Sequence, residues 1–217
     1  LQERYAALSG DDLSDILFTS GTTGRPKGVL CTHTQTLRVF DTWASVVGLR
    51  EEDRYLIVPP FFHTFGFKAG WVACLLRGAT IYPLPVFDVE AAAVAIDRHA
   101  ISVMPGPPAL YQMLLAHPQR ATWKTSSLRL AVTGAAAVPV ELVHAMRNEL
   151  GFETVLTAYG LTETTGVVTM CRREDSAEVI ANTSGRAIPG VEVRIVDEAG
   201  NDLPAGQAGE VWVQGHN

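Results

Sequence analysis

Lysine is the scarcest charged residue of this chain: of 17 basic residues among 217, only Lys27, Lys68 and Lys124 are lysines. A lysine inside a glycine-rich loop, as at position 27, therefore stands out from its background. Cysteine is equally sparse. Cys31, Cys74 and Cys171 are odd in number, widely spaced and free of any C-x-x-C pair, which excludes a disulfide frame and a structural zinc site. They read as reduced thiols in a cytoplasmic protein. His33, His63, His99, His117, His144 and His216 show no metal-ligand spacing. Net positive charge is lacking too. A balance of −6 argues against nucleic acid as a partner. No apolar run approaches the roughly 20 residues of a membrane span, and no repeat or low-complexity tract occurs. The first residue is Leu1, so targeting signals cannot be judged from this end.

What is present is a globular composition. Hydrophobic residues make up 47% and charged residues 18%, and a chain of this length buries about 70% of its unfolded surface. One stretch organises the rest: Phe18-Thr19-Ser20-Gly21-Thr22-Thr23-Gly24-Arg25-Pro26-Lys27-Gly28. Its eleven residues hold four hydroxyls, three glycines and one lysine. Glycines let backbone N–H groups turn toward an anion, hydroxyls donate further hydrogen bonds, and lysine adds a full charge. A polyphosphate suits that set. The P-loop pattern G-x-x-x-x-G-K-[ST] opening into a helix is not met. The strand-like Val29-Leu30-Cys31 follows, so a hairpin loop is expected, entered from Ile16-Leu17-Phe18 as a buried strand.

The remaining chain alternates between the two regular periods. Residues 1–10 read as a polar lead-in. Apolar spacing at Leu37, Phe40, Trp43 and Val47 predicts a helix over 32–48 that ends at a glycine. Strands are expected at 55–58, 80–82, 101–104, 128–132 and 154–157. Helices are expected from Phe61-Phe62-His63-Thr64-Phe65-Gly66-Phe67 to about Leu76, from Asp88 to His99, over Leu110, Met113 and Leu114, and from Pro139 to Leu150. This order predicts an α/β fold with a doubly wound, mostly parallel sheet, helices on both faces and ligand sites at the carboxyl ends of strands. Residues 1–184 form that core. From 185 to 217 the pattern turns hairpin-like, as the start of a small β subdomain, and the chain stops after a strand with no closing element. A fragment is expected.

Four segments lie just past expected strands: the glycine loop, residues 61–67, Gly134-Ala135-Ala136, and Tyr159-Gly160-Leu161-Thr162-Glu163-Thr164-Thr165-Gly166. With these residues the sequence resembles the adenylate-forming superfamily of acyl-CoA synthetases, luciferases and peptide-synthetase adenylation domains. Residues 19–28 match its phosphate loop and Tyr159-Gly160-Leu161-Thr162-Glu163 its Y-G-x-T-E motif. Gly134-Ala135-Ala136 is similar to its adenine-contacting turn, and Gly206-Gln207-Ala208-Gly209-Glu210 to its later β segment.

That resemblance implies two half-reactions. A carboxylate attacks the α-phosphate of ATP, pyrophosphate leaves, and a thiol, usually of coenzyme A, takes the acyl group. It further implies that Thr19, Ser20, Gly21, Thr22, Thr23 and Gly24 hold the β- and γ-phosphates and that Lys27 neutralises them. Tyr159 would stack on adenine beside Gly134, Ala135, Ala136 and Gly160. Thr162 would contact the α-phosphate, and Glu163 would hold Mg²⁺. His63, Phe65, Gly66, Ala136, Thr165 and Gly166 would face the acyl group. Lys68 and His33 read as surface or packing residues.

Amino-acid-activating relatives place an aspartate after the aromatic pair. Here Phe61-Phe62-His63 has none, so a fatty or bulky ring-containing acid without an α-amino group is expected. The pattern around Pro59-Pro60-Phe61-Phe62-His63 is similar to bacterial fatty-acid-type ligases, including ones acting on steroid-derived ring acids. Two departures stand out. Thr157 replaces an amide common in relatives. The ribose-binding aspartate and the C-terminal domain with its catalytic lysine should lie beyond Asn217, so the piece by itself is expected to turn over negligibly. A carrier-protein thiol acceptor, a non-catalytic nucleotide-binding relative and a kinase stand as alternatives, and a homo-oligomer is compatible with the sequence.

Overall fold

A computed structural model describes residues 2–20 and 24–217. A short helix, α1 (Gln2–Ala6), occupies part of the expected polar lead-in. Strands β1 (Leu13–Thr19) and β2 (Lys27–Thr32) then pair antiparallel, with Asp15 opposite Cys31, Leu17 opposite Val29 and Thr19 opposite Lys27. The glycine loop therefore joins the strands of a hairpin, as its sequence predicts. The expected burial of β1 is corrected. Ile16 and Phe18 are 46% and 74% exposed, because a two-stranded ribbon buries one face only and their face carries no cover among the described residues.

Helix α2 (His33–Val47) starts at a reciprocal cap. Gln35 N donates to Thr32 Oγ1 at 3.2 Å, and Thr32 N donates to Gln35 Oε1 at 2.9 Å, satisfying two N-terminal donors. Gly48, at φ 68°, closes the helix in the left-handed region. Strand β3 (Arg54–Ile57) leads through residues 58–63 to α3 (Thr64–Gly66), a π-helical stretch (Phe67–Val72) and α4 (Ala73–Arg77). Next come β4 (Thr80–Pro83), α5 (Val89–His99), α6 (Pro108–Ala116), β5 (Leu130–Gly134), α7 (Val140–Asn148), β6 (Thr154–Tyr159), β7 (Thr169–Met170), α8 (Ala177–Asn182) and β8 (Arg186–Ala187). β9 (Val191–Val196) and β10 (Glu210–Gly215) form an antiparallel hairpin.

β4 pairs with β3 in parallel, β5 with β6 in parallel, and β7 and β8 add antiparallel at the far side. The expected strand at 101–104 contracts to one residue. Val103 bridges Tyr55 on one side and Leu130 on the other, both in parallel. Pro105, Pro107 and Pro108 follow at once and offer no N–H to a longer ladder. β8 lies past the expected boundary at 184, yet by hydrogen bonding it joins the α/β sheet.

The core packs Trp43, Phe40, Tyr55, Tyr111 and Phe152 at 1% exposure or less. Tyr55 and Tyr111 bury their hydroxyls by donating to the carbonyls of Ala69 (2.8 Å) and Met104 (2.7 Å). All three cysteines are buried and unpaired, and burial pushes the Cys74 thiol up to about 12. No helix of the described residues is long and apolar enough to cross a membrane.

Candidate functional site

Three sequence-distant segments meet around one cavity of about 670 Å³. The hairpin contributes Thr19, Ser20 and Lys27. The stretch after β3 contributes His63, Thr64, Phe65 and Ala69. The ends of β5 and β6 with the turn beyond them contribute Val132 to Ala135 and Ala158 to Glu163, with Gly166 and Val167. Phe40 and Trp43 of α2 complete the apolar part of the lining.

Local structure explains how each group arrives. Thr19 and Lys27 are cross-strand partners, so both side chains leave the same face of the hairpin. His63 caps α3: its Nδ1 accepts from Phe65 N at 3.1 Å, which leaves the neutral ring's proton on Nε2. Beyond β6 the chain folds back tightly. Thr165 N donates to Thr162 O at 3.0 Å and Gly166 N to Leu161 O at 2.8 Å. A Cβ at Gly160 would meet the Gly166 carbonyl and lie 2.7 Å from Val167 Cα. Glycine at 160 is what lets this turn present Thr162 and Glu163 to the cavity.

Among the described lining residues Lys27 and Glu163 are the only formally charged side chains apart from histidine. One cation and one carboxylate on a lining that is otherwise hydroxyl and apolar suit an anionic ligand with a hydrophobic part. No group of three or more His, Cys, Asp and Glu clusters as a metal site among the described residues. Glu163 alone fits Mg²⁺ held jointly with phosphate oxygens, since that ion commonly takes one or two protein carboxylates.

Of the residues singled out from sequence, Thr19, Ser20, Lys27, His63, Phe65, Gly134, Ala135, Tyr159, Gly160, Thr162, Glu163 and Gly166 line this cavity. Gly21, Thr22 and Thr23 lie outside the described residues. Gly24, at φ 77°, is exposed and away from the lining. Ala136 lies on a neighbouring cavity of about 500 Å³ that shares Gly134, Ala135 and Tyr159. Two acyl-facing expectations change. Gly66 is buried behind the wall, where a Cβ would run into the carbonyls of Pro59 and Pro60. Thr165 is 1% exposed and lies with its hydroxyl 3.9 Å from Cys31 Sγ.

Sequence reasoning missed Phe40 and Trp43, whose helical spacing marks them only as buried. It also missed Thr133, whose hydroxyl is buried without a hydrogen-bond partner among the described residues. A hydroxyl at a strand end directly before a glycine turn was the available signal.

Comparison with known proteins places the chain in a family. Over residues 2–217 the chain matches the family described as AMP-binding enzyme. It is 51% identical over 214 residues to the 3-[(3aS,4S,7aS)-7a-methyl-1,5-dioxo-octahydro-1H-inden-4-yl]propanoyl:CoA ligase of Rhodococcus jostii, covering 99% of this chain and 39% of that protein. The N-terminal domain of FACL13 from Mycobacterium tuberculosis superposes with a TM-score of 0.84 at 29% identity, over 97% of this chain and 52% of that one. O-succinylbenzoate coenzyme A synthetase from Bacillus subtilis, in complex with ATP and magnesium ion, superposes at 0.85 and 29%, over 96% and 42%. The chain thus spans about two fifths of the length of the curated relative, and it belongs to the AMP-binding enzyme family.

Proposed function

We infer that, in the protein at its natural length, this segment forms the ATP- and acyl-facing walls of an AMP-forming acid–thiol ligase. The observation that carries this is the meeting of Lys27, His63 and Glu163, from three distant segments, around one cavity with an apolar lining. ATP and coenzyme A are the co-substrates, and Mg²⁺ is the cofactor. When bound, Mg²⁺ supplies charge neutralisation at the phosphates, with Glu163 as its protein carboxylate.

The chain's own residues act by positioning and by placing charge. Thr19, Ser20 and Lys27, with Gly21, Thr22 and Thr23, hold the β- and γ-phosphates. Tyr159 stacks on adenine beside Gly134, Ala135 and Ala136. Thr162 steadies the α-phosphate. The substrate carboxylate is already ionised, so its attack needs no general base, and His63 orients it at the boundary between the polar and apolar parts of the lining. Phe40, Trp43, Phe65 and Val167 take the acyl body. Their width and aromatic character, with the name of the Rhodococcus relative, favour a ring-bearing propanoate-type acid. The same reading makes the sheet a doubly wound core with helices on both faces. The buried, unpaired cysteines support a cytoplasmic setting.

ATP–pyrophosphate exchange across a panel of carboxylic acids tests this. Exchange that depends on a ring-bearing acid and is abolished in Glu163→Ala is expected. ATP binding with no exchange for any acid, or release of ADP, overturns it.

A further inference from the structure

Lys68 is a buried cation that the proposed chemistry does not use. Its side chain is 0% exposed, and its Nζ lies 3.0 Å from Asp15 Oδ2 and 3.2 Å from Thr36 Oγ1. Thr36 Oγ1 in turn sits 3.5 Å from Asp15 Oδ1. Three elements that face the cavity are tied at this point. Asp15 belongs to the hairpin that carries Thr19 and Lys27. Thr36 lies on the α2 face that continues through Phe40 and Trp43. Lys68 lies in the π-helical stretch, one residue before Ala69 and five after His63.

We propose that Lys68 is a positioning residue: through Asp15 and Thr36 it fixes the angle at which the β1–β2 hairpin presents Thr19 and Lys27 to the acyl wall. The inference rests on reading this cavity as the nucleotide and acyl site.

The geometry of the hairpin gives the reason. Asp15, Leu17 and Thr19 share its inward face with Cys31, Val29 and Lys27, while Ile16, Phe18 and Leu30 face outward and are exposed. Within the described residues, the hairpin meets the rest of the fold through its inward face and through its junction with α2, where Thr32 caps the helix and His33 N donates to Asp12 O at 3.1 Å. On the inward face, the polar contacts sit at one level, the pair Asp15 and Cys31, where Asp15 meets Lys68 and Cys31 meets Thr165. The tip lies four residues further on, about 13 Å at the rise of a strand. A small rotation at the base is magnified there. Apolar packing of Leu17 and Val29 restrains distance and leaves direction loose, whereas the Lys68 charge, held by the Thr36 hydroxyl and facing the Asp15 carboxylate, draws the hairpin base toward one point of the fold. Widening of the helix into a π-turn at Phe67–Val72 also marks the stretch as shaped for more than packing, since such turns are frequent at functional sites.

The test uses the protein at its natural length, as Lys68→Met and as the paired Asp15→Leu/Lys68→Met variant. The pair removes both charges together, so it avoids the uncompensated buried charge that can unfold the single variant. Amide hydrogen exchange and acid-dependent ATP–pyrophosphate exchange are both read. Expected in the folded pair variant are amides of residues 13–20 and 27–32 that exchange at least about tenfold faster, with those of β5 and β6 unchanged. KM for ATP should rise about tenfold or more, with KM for the acid held within about twofold. Wild-type protection of the hairpin in that variant overturns the proposal. Equal loosening of the hairpin and of β5 and β6, with both KM values rising together, also overturns it, because it marks a merely structural role. If the wild type shows no acid-dependent exchange, the functional reading fails separately, and the hairpin amides still decide whether Lys68 positions it.

Discussion

Arg129 Nε donates to Asp53 Oδ1 at 2.7 Å, and a second guanidinium nitrogen closes on Asp53 Oδ2. Ser102 Oγ donates to the same carboxylate at 2.8 Å, as does the Arg50 amide at 3.0 Å. These residues sit where β3, the Val103 bridge and β5 begin, at the opposite strand ends from the cavity. The clamp pins the parallel strands in register, and the loops that line the cavity emerge at their other ends.

Acid stability should follow this clamp. Burial pushes the Asp53 carboxyl up, but hydrogen bonds from Arg129, the Arg50 amide and Ser102, with the Arg129 charge, more than offset it and leave the group below its ordinary value. Its stabilising contribution is thus full above the unfolded value, near pH 4, and is lost as pH falls through the lower folded value. Urea unfolding across pH should show that loss on the acid side. Asp53→Asn should flatten the acid limb and cost about 3 kcal/mol at neutral pH by stranding Arg129. An unchanged acid limb would contradict the assignment.

Glu163→Gln removes the cavity's carboxylate and keeps its shape. Exchange should fall about 10²–10³-fold with the melting temperature unchanged. The residual rate should need more Mg²⁺ to saturate, which a magnesium titration reads directly.

Gly160→Ala places a methyl against the Gly166 carbonyl and Val167 Cα. Because the obstacle is backbone, the turn carrying Thr162 and Glu163 must shift. A stability loss of about 1–3 kcal/mol is expected, and kcat should fall further than stability does. Wild-type kinetics in a folded variant would show that the turn's shape is dispensable.

Thr133→Val keeps the shape and removes a buried hydroxyl that has no partner among the described residues. Stability should hold or rise by up to about 1 kcal/mol, since nothing paired is lost. Denaturant midpoints check this, and a clear loss would mean that the hydroxyl has a partner in solution.

Local signals were legible wherever the physics is local. Thr32 announced the start of α2, Gly48 its end, and Asp88 the start of α5. The glycine loop announced a hairpin because Val29-Leu30-Cys31 cannot start a helix as readily as it extends a strand. Thr19, Ser20 and Lys27, singled out from the sequence, line the cavity with Thr162 and Glu163. Gly66 and Thr165 misled for the opposite reason. Each sits beside residues on the cavity wall, but which side of a tight turn a residue faces depends on neighbours distant in sequence: Pro59 and Pro60 for one, Cys31 for the other.

By itself, then, the sequence determined the alternation of strands and helices, the caps and the hairpin around residues 19–28, because these follow from backbone preferences and side-chain chemistry over a few residues. Tertiary structure alone decided that Val103 serves as a one-residue strand, that Phe40 and Trp43 line a cavity, and that Lys68 is buried against Asp15 and Thr36. Each of those depends on which distant groups remove a side chain from water. A buried lysine and an exposed one are spelled the same way; only the partner 53 positions earlier tells them apart.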